Sequence, residues 1–334
     1  MSIEIRGLRE SELADHAHLV HQSYYEYVTS GERTFLADPQ WWLHSARADP
    51  YYQPEQTRVL LLDGRMASSV TVYTRDVYAD GRLAKVGCIG SVCTHPDARR
   101  RGLARQVLAE SIAWMEQNAY HWSALFGREE VYSGSGWRLV TALELVADLR
   151  LRPGAELPPV QVRPVDPARD VAVLGDIYER FNRTMTGPIV RSEAYWRQRV
   201  LQGRFGQAPA YYMVELAAQP VGYFAGADAH VREIGWVDAP AGVFAAVLGQ
   251  WPDTPVHFHC FTADMVRYLQ QISDVPTVAA LAERPGGLTL PQVSKGLWRY
   301  IGASCRGFPE ITDTASLRYF LRQHEYNFWP ADGF

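Results

Sequence analysis

The sequence predicts an α/β (α+β) protein built as two similar units, each a mixed, mostly antiparallel sheet flanked by helices. Three observations predict it. Asp63-Gly64 and Asp80-Gly81 punctuate apolar runs at hairpin spacing, and such pairs supply the positive φ that tight hairpins need. Apolar residues recur at helical spacing between residues 102 and 117. After a Pro- and Gly-rich stretch at residues 151–159, the order of elements starts again.

In the first unit, residues 1–150, a strand over 3–8 precedes a helix over 10–27. Strands follow over 59–62, 67–78 and 83–94. The helix over 102–117 presents Leu103, Val107, Leu108, Ile112 and Met115 on one face. A short strand over 122–126, a Gly- and Ser-rich turn and one long strand over 137–149 complete the unit. Residues 151–159, with Pro153, Gly154, Pro158 and Pro159, read as a linker. The second unit, residues 160–334, is expected to hold a strand over 160–165 and a helix over 168–185. A hairpin follows, its strands over 211–216 and 221–225 and its turn at Gln219-Pro220. A helix over 242–251, a strand over 256–261 and a helix over 263–272 complete the echo. The likeness is one of element type and not of residues.

With 334 residues, 47% of them hydrophobic, the chain can bury a core in each unit. A formal net charge of -4 gives no basic field, which argues against nucleic acid or an anionic membrane surface as the main partner. The apolar runs fall far short of the roughly 20 residues that span a bilayer. Cys88, Cys93, Cys260 and Cys305 are scattered, with no CxxC pair and no secretory signal ahead of them. The expectation is a soluble, cytoplasmic protein without a bound metal.

Chemistry concentrates in the run GCIGSVCTHPDARRRGLAR over residues 87–105. Glycines inside a strand mark a bulge or a close backbone approach, so Gly87 and Gly90 predict a strand that bends and leaves backbone groups for a ligand. An extended, amide-bearing arm lying alongside like an added strand is one candidate. Arg99, Arg100 and Arg101 then stand directly before a helix. Cations at a helix N-terminus oppose its dipole by about 0.3–1 kcal/mol each, a cost that a bound anion reverses. Small residues at Gly102 and Ala104 let a diphosphate approach the backbone N–H groups.

These residues resemble the signature of the GNAT superfamily of acetyl-CoA-dependent N-acyltransferases. Arg99, Gly102 and Ala104 meet its Arg/Gln, Gly and Gly/Ala positions, and Tyr132, Gly136 and Trp137 meet a second feature. The resemblance implies acetyl-CoA as co-substrate and pantetheine contacts from the backbone of Val92, Cys93 and Thr94. It implies that Arg99, Arg100, Arg101, Gly102, Leu103, Ala104 and Arg105 surround the diphosphate, with Gly127 and Arg128 completing the contacts. Tyr132 would protonate the departing thiolate while a backbone N–H near Val92 polarises the thioester.

The whole chain is similar to tandem GNAT proteins of the enhanced-intracellular-survival class, in which the second unit has lost its cofactor motif. Here the corresponding loop, WVDAPAGVF over 236–244, offers Asp238 and no Arg or Lys. Too few residues follow for the sterol-carrier-like third domain of that class. That class also implies that an α-carboxylate, here of Phe334, serves as base for the incoming amine, with Asp332 as the side-chain alternative. The implied reaction moves an acetyl or similar acyl group to an amine of a small molecule or peptide by direct attack in a ternary complex. A non-catalytic acyl-CoA sensor and a protein-lysine acetyltransferase are the rival readings, and a homo-oligomer is compatible with all three.

Weaker signals have bland alternatives. His95 is a candidate base or a cap, and Glu129 and Glu130 are amine-binding or merely solvated. His257 and His259 share one strand face as a two-ligand metal hint or a surface pair. The aromatic pairs Tyr24-Tyr25, Trp41-Trp42 and Tyr51-Tyr52 cover an acceptor site or fill the core.

Overall fold

Asp63 and Gly64 adopt φ of 49° and 80°, and Asp80 and Gly81 adopt 52° and 74°, the left-handed pairs of two-residue hairpins. They join β2 (Thr57–Leu62), β3 (Arg65–Ala79) and β4 (Arg82–Thr94) into an antiparallel meander edged by β1 (Ile3–Gly7). The computed structural model describes residues 2–29, 38–143, 145–203, 209–260, 262–273, 292–302 and 307–323.

Helices α1 (Leu13–Thr29) and α2 (Trp41–Arg47) lie between β1 and β2 in sequence. After β4, α3 (Leu103–Gln117) crosses over to β5 (Trp122–Leu125), which pairs parallel with β4. A short α4 (Glu129–Tyr132) then leads to β6 (Arg138–Leu143). Leu103, Val107, Leu108 and Met115 of α3 pack with Val70, Val72 and Ile89 of the sheet, as the helical spacing predicts. Leu13, Ala17 and Val20 of α1 and Trp42 of α2 form a separate cluster with Val59 and Cys93. Gly87 is explained by α3: a Cβ there would lie 2.3 Å from Sδ of Met115 and 2.9 Å from Cγ1 of Val72. It permits close helix–sheet approach and is not the bend that the sequence suggested.

The single strand expected over 137–149 is two strands in two sheets. β6 ends at Leu143, and β7 (Leu145–Leu149) belongs to a second, six-stranded sheet. That sheet also holds β8 (Val160–Pro164), β10 (Ala210–Leu216), β11 (Gln219–Ala227), β12 (His230–Trp236) and β13 (Val256–Cys260), in the order β7-β13-β12-β11-β10-β8. Only the β12–β13 pair is parallel. The segment β9 (Thr186–Ile189) joins the end of β3 instead. Helices α5 (Val171–Asn182), α6 (Glu193–Tyr195), α7 (Pro240–Gln250) and α8 (Ala263–Ile272) accompany the second sheet. The chain then returns. β14 (Gln292–Tyr300) lies between β5 and β6, antiparallel to both, and α9 (Thr314–Gln323) follows it.

Two α+β units, each a mixed and mostly antiparallel sheet with one central parallel pair, thus exchange strands. β7, from before residues 151–159, completes the second sheet, while β14, from after them, completes the first. Phe308, Leu317 and Phe320 extend the core that β14 brings with Trp298, packing against Trp122. One local expectation changes, and one strand had no counterpart in the sequence reading. The second hairpin turns at Ala217-Ala218, φ 49° and 62°, and not at Gln219-Pro220, which lie in β11. The strand β12 escapes the alternation pattern because Glu233 sits on it fully buried, held by Arg191 at 2.7 Å and by the hydroxyl of Tyr223 at 2.8 Å.

The exchange makes the halves interdependent. Residues 1–159 expressed alone would leave β5 and β6 with facing unpaired edges and β7 without its sheet, an aggregation-prone arrangement. We expect that fragment to lack a cooperative thermal transition. A soluble fragment that melts cooperatively with protected β5 amides would contradict the exchange.

Candidate active site

The parallel pairing of β4 with β5 runs from Val86↔Trp122 to Ile89↔Leu125 and stops there, while β4 continues to Thr94. At the point of separation the strand bulges. Thr71 faces Gly90 and Ser69 faces Cys93, so Ser91 and Val92 together oppose Val70, and Ser91 takes φ 48°. A bulge twists and re-aims a strand. The bend therefore falls just after Gly90, and among the described residues no strand pairs with residues 90–94 on the side where β5 has ended.

Side chains pin the bulge from behind. The Tyr24 hydroxyl of α1 donates to the Val92 carbonyl at 2.6 Å. Ser68 donates to the Cys93 carbonyl at 2.8 Å and lies 2.9 Å from the Thr94 hydroxyl. Beneath them runs a buried polar chain, with His16 Nε2 2.8 Å from Ser69 Oγ, and Ser69 Oγ 3.1 Å from Cys93 Sγ. Burial pulls the His16 pKa down to about 3 and pushes the Cys93 thiol up to about 11, so both are neutral near pH 7. His16, Ser68, Ser69 and the role of Tyr24 were not singled out by sequence reasoning. The available signal was His16 and Ser23 two turns apart on the apolar face of α1.

The arginine turn follows directly. His95 caps the short turn at Pro96–Ala98, its Nδ1 accepting from the Asp97 N–H at 3.3 Å, which is the capping alternative. Arg99 ties this turn to α1, donating to the Ser23 carbonyl at 2.6 Å and facing Glu26 at 3.4 Å. Arg100 at φ 63° and Gly102 at φ 72° then turn the chain into α3, with Gly102 as its N-cap. A Cβ on Gly102 would meet nothing within 4 Å. The residue is constrained by its φ, and the space before it is open. Arg100, Arg101 and Arg105 are exposed, Ala104 is half-buried, and Leu103 anchors the first turn in the core. The early N–H groups of any helix lack intrahelical acceptors, so this corner offers backbone donors and guanidinium groups to one anion.

On the β5 side, Gly127 lets the Tyr132 ring approach; a Cβ there would lie 2.7 Å from Cε2 of the ring. Tyr132 is half-buried, edge-to-face with Trp137 at 6.4 Å between centroids. Burial raises its pKa, and the described residues give its hydroxyl no hydrogen-bond partner. Tyr132 and Val92 both pack against the apolar cluster that α3 forms with the first sheet. Arg128 is exposed beside Glu130 at 3.6 Å, and Glu129 accepts from the Leu139 N–H at 3.3 Å. Phe334 and Asp332 lie outside the described residues.

The corresponding corner of the second sheet is built differently. β12 ends at Trp236, whose ring lies 4.3 Å from that of Phe181 and 5.3 Å from that of Phe244. Asp238 accepts from the Ala239 N–H at 2.7 Å, and the first turn of α7 is covered, since a Cβ on Gly242 would lie 2.7 Å from Val160. His257 is bound to Asp148 at 2.8 Å, with His259 5.5 Å away between ring centroids. Among the described residues no group of three or more His, Cys, Asp or Glu could hold a metal ion, and no helix is long and apolar enough to cross a membrane.

Residues 4–140 match the family model described as acetyltransferase (GNAT) domain. No curated protein matches the chain. Among solved structures, it resembles a conserved protein of unknown function from Enterococcus faecalis, described as a probable N-acyltransferase. That likeness has a TM-score of 0.63 at 15% identity, over 90% of this chain and 73% of that one. A GCN5-related N-acetyltransferase from Anabaena variabilis gives 0.62 at 11% identity, again over 90% and 73%. Eis1 from Mycobacterium abscessus gives 0.52 at 16% identity, over 75% of this chain and 63% of that one. At these identities the likeness is one of fold. The GNAT-type N-acetyltransferase domain is thus matched by residues 4–140, and the two mixed, mostly antiparallel sheets flanked by helices have a fold consistent with tandem GNAT proteins.

The His16 chain predicts a pH dependence. Unfolded His16 titrates near 6.5, and the folded residue only near 3. Below pH 6.5 the unfolded state binds the extra proton, so this stabilisation, complete above pH 6.5, is lost as pH falls towards 3, by up to about 1.4 kcal/mol per pH unit. Denaturant melts at pH 7, 6, 5 and 4 should show that decline, and His16→Gln should flatten it. An unchanged slope in the variant would place the titrating group elsewhere.

Proposed function

We propose, from the match of residues 4–140 to a GNAT acetyltransferase domain, that this protein transfers an acetyl or similar acyl group from CoA to an amine of a small molecule or peptide. The observation that supports this most strongly is the β4–β5 separation, where an unpaired strand edge, a bulge and an open arginine-lined helix start meet within residues 90–105. Acetyl-CoA fits that arrangement chemically. Residues 100–105 would hold the diphosphate with guanidinium groups and the first N–H groups of α3, while Arg99 braces the turn against α1. The strand edge at Val92, Cys93 and Thr94 would pair with the pantetheine amides as a ladder does. Gly127 and Arg128 would close the β5 side.

The amine attacks the thioester carbonyl carbon directly, and the C–S bond breaks as the oxyanion collapses. A backbone N–H of the bulge, fixed through Tyr24 and Ser68, donates to that oxyanion. Tyr132, a phenol that is protonated at neutral pH without any shift and that burial keeps so, gives its proton to the departing thiolate. The base that takes the amine proton is proposed as the α-carboxylate of Phe334, a role carried over from the resemblance alone. Direct attack is favoured over an acyl-cysteine route because Cys93, the cysteine in the bulge, is buried and its thiol is held protonated. The second sheet acts as scaffold, its own helix start being covered at Gly242 and facing Asp238.

Two variants separate the parts of this reading. Gly102→Glu adds a strained, negatively charged side chain where the diphosphate is placed, and calorimetry should show acetyl-CoA binding abolished while the protein stays folded. Tyr132→Phe should lower turnover by roughly 10²–10⁴-fold with acetyl-CoA affinity nearly intact. Release of CoA would be followed with polyamines, aminoglycosides, amino acids and lysine peptides as acceptors. Tight acetyl-CoA binding without turnover of any amine would favour a non-catalytic acyl-CoA sensor, and unchanged binding by Gly102→Glu would overturn the site.

A further inference from the structure

Tyr132 ends a four-residue helix, and the segment after it is a single 3-10 turn, Ser133–Ser135, closed by the Gly136 N–H donating to the Ser133 carbonyl at 3.0 Å. Two guanidinium groups brace this turn. Arg138, next to the segment in sequence, donates to the carbonyls of Ser133 at 2.6 Å and Trp137 at 2.9 Å. Arg299 comes from β14, the strand that the second half returns to the first sheet, and donates to the Ser135 carbonyl at 2.9 Å. It stands opposite Ser123 of β5, and its guanidinium carbon lies 5.7 Å from the Trp137 ring centroid.

Gly136 is fitted to this contact. Its φ is 90°, and a Cβ there would fall 1.9 Å from Nη1 of Arg299, so any side chain would expel the guanidinium. Trp137 is fully buried and meets the Tyr132 ring edge-to-face. Among the described residues no carboxylate forms an ion pair with Arg299, and its Nε is buried without a partner. A guanidinium kept partly out of water with a carbonyl and an aromatic ring, and with Glu116 as an opposing charge too far off to form an ion pair, is expensive for stability alone. Its evident product is a fixed Ser135–Gly136–Trp137 turn.

We propose that Arg299 is a positioning residue for Tyr132: by clamping the turn behind the acid, the exchanged strand of the second half sets the geometry of proton delivery in the first. The inference rests on the reading of Tyr132 as acid. Arg299 touches no reacting atom; it acts through Ser135, Gly136 and Trp137.

The test is a cycle of Arg299→Met, Tyr132→Phe and the double variant in the full-length protein, with kcat, acetyl-CoA affinity and melting temperature measured for each. Arg299→Met keeps the stem and removes the donors. It should lower kcat by about tenfold to a hundredfold, the cost of a displaced catalytic group, and change acetyl-CoA affinity by less than about twofold. The double variant should be no slower than Tyr132→Phe alone, because Arg299 has nothing left to position. Arg299→Lys, which keeps a donor, should recover part of the loss, and it carries the test if Arg299→Met does not fold. Losses that multiply in the double variant, or normal kcat in Arg299→Met beside a slow Tyr132→Phe, would overturn the inference and leave the acid assignment standing. Full turnover by Tyr132→Phe would overturn both.

Discussion

Two parallel strands cannot be joined by a tight turn, and that constraint organises the functional end of this protein. Because β4 and β5 are parallel, the chain must cross between them on a helix, which places the start of α3 at the end of β4. The same end is where β4 outruns β5 and bulges. A strand edge with backbone groups to spare and a helix start with unpaired N–H groups are thus brought together by topology before any particular side chain is considered. The side chains then tune the corner: arginines supply charge, Gly102 supplies the left-handed turn, and Tyr24, Ser68 and Ser69 fix the bulge from the core side.

The second sheet repeats the topology without the chemistry. Its parallel pair β12–β13 and helix α7 recreate the corner, yet Trp236 and Phe181 pack against each other there and Val160 covers the first turn of α7. What the second half contributes to the first is structural and crosses by exchange. β14 completes the first sheet, α9 and Phe308 extend its core, and Arg299 reaches the turn behind Tyr132.

Much of this was legible in the sequence where a residue type has one dominant physical use. Asp-Gly pairs mark left-handed turns, and a glycine ahead of an apolar helical repeat marks a helix start, so the first-unit hairpins and the start of α3 at Gly102 could be read directly. Gly87 and Gly90 look alike in sequence, but one makes room for Met115 and the other precedes the bulge, a difference set by what packs above them. The strand exchange was hidden because residues 137–149 contain no Gly, Pro or Asn to mark where one sheet gives way to the other. β12 was hidden by a buried glutamate whose partner, Arg191, is distant in sequence. The Ala217-Ala218 turn was hidden because alanine carries no turn signal. His16 reads as one more helix residue until burial beside Ser69 gives it a role. Each miss is a case in which tertiary contact, and not local preference, decides the structure.

The proposal stands or falls on where the acyl donor lies. The most direct measurement is a crystal structure of the protein with an unreactive acetyl-CoA analogue. The account predicts one analogue per chain, its diphosphate at residues 100–105, its pantetheine arm paired along the bulged end of β4 and its sulfur beside the Tyr132 hydroxyl. An analogue seated at the end of β12, or one whose diphosphate avoids the start of α3, would contradict it.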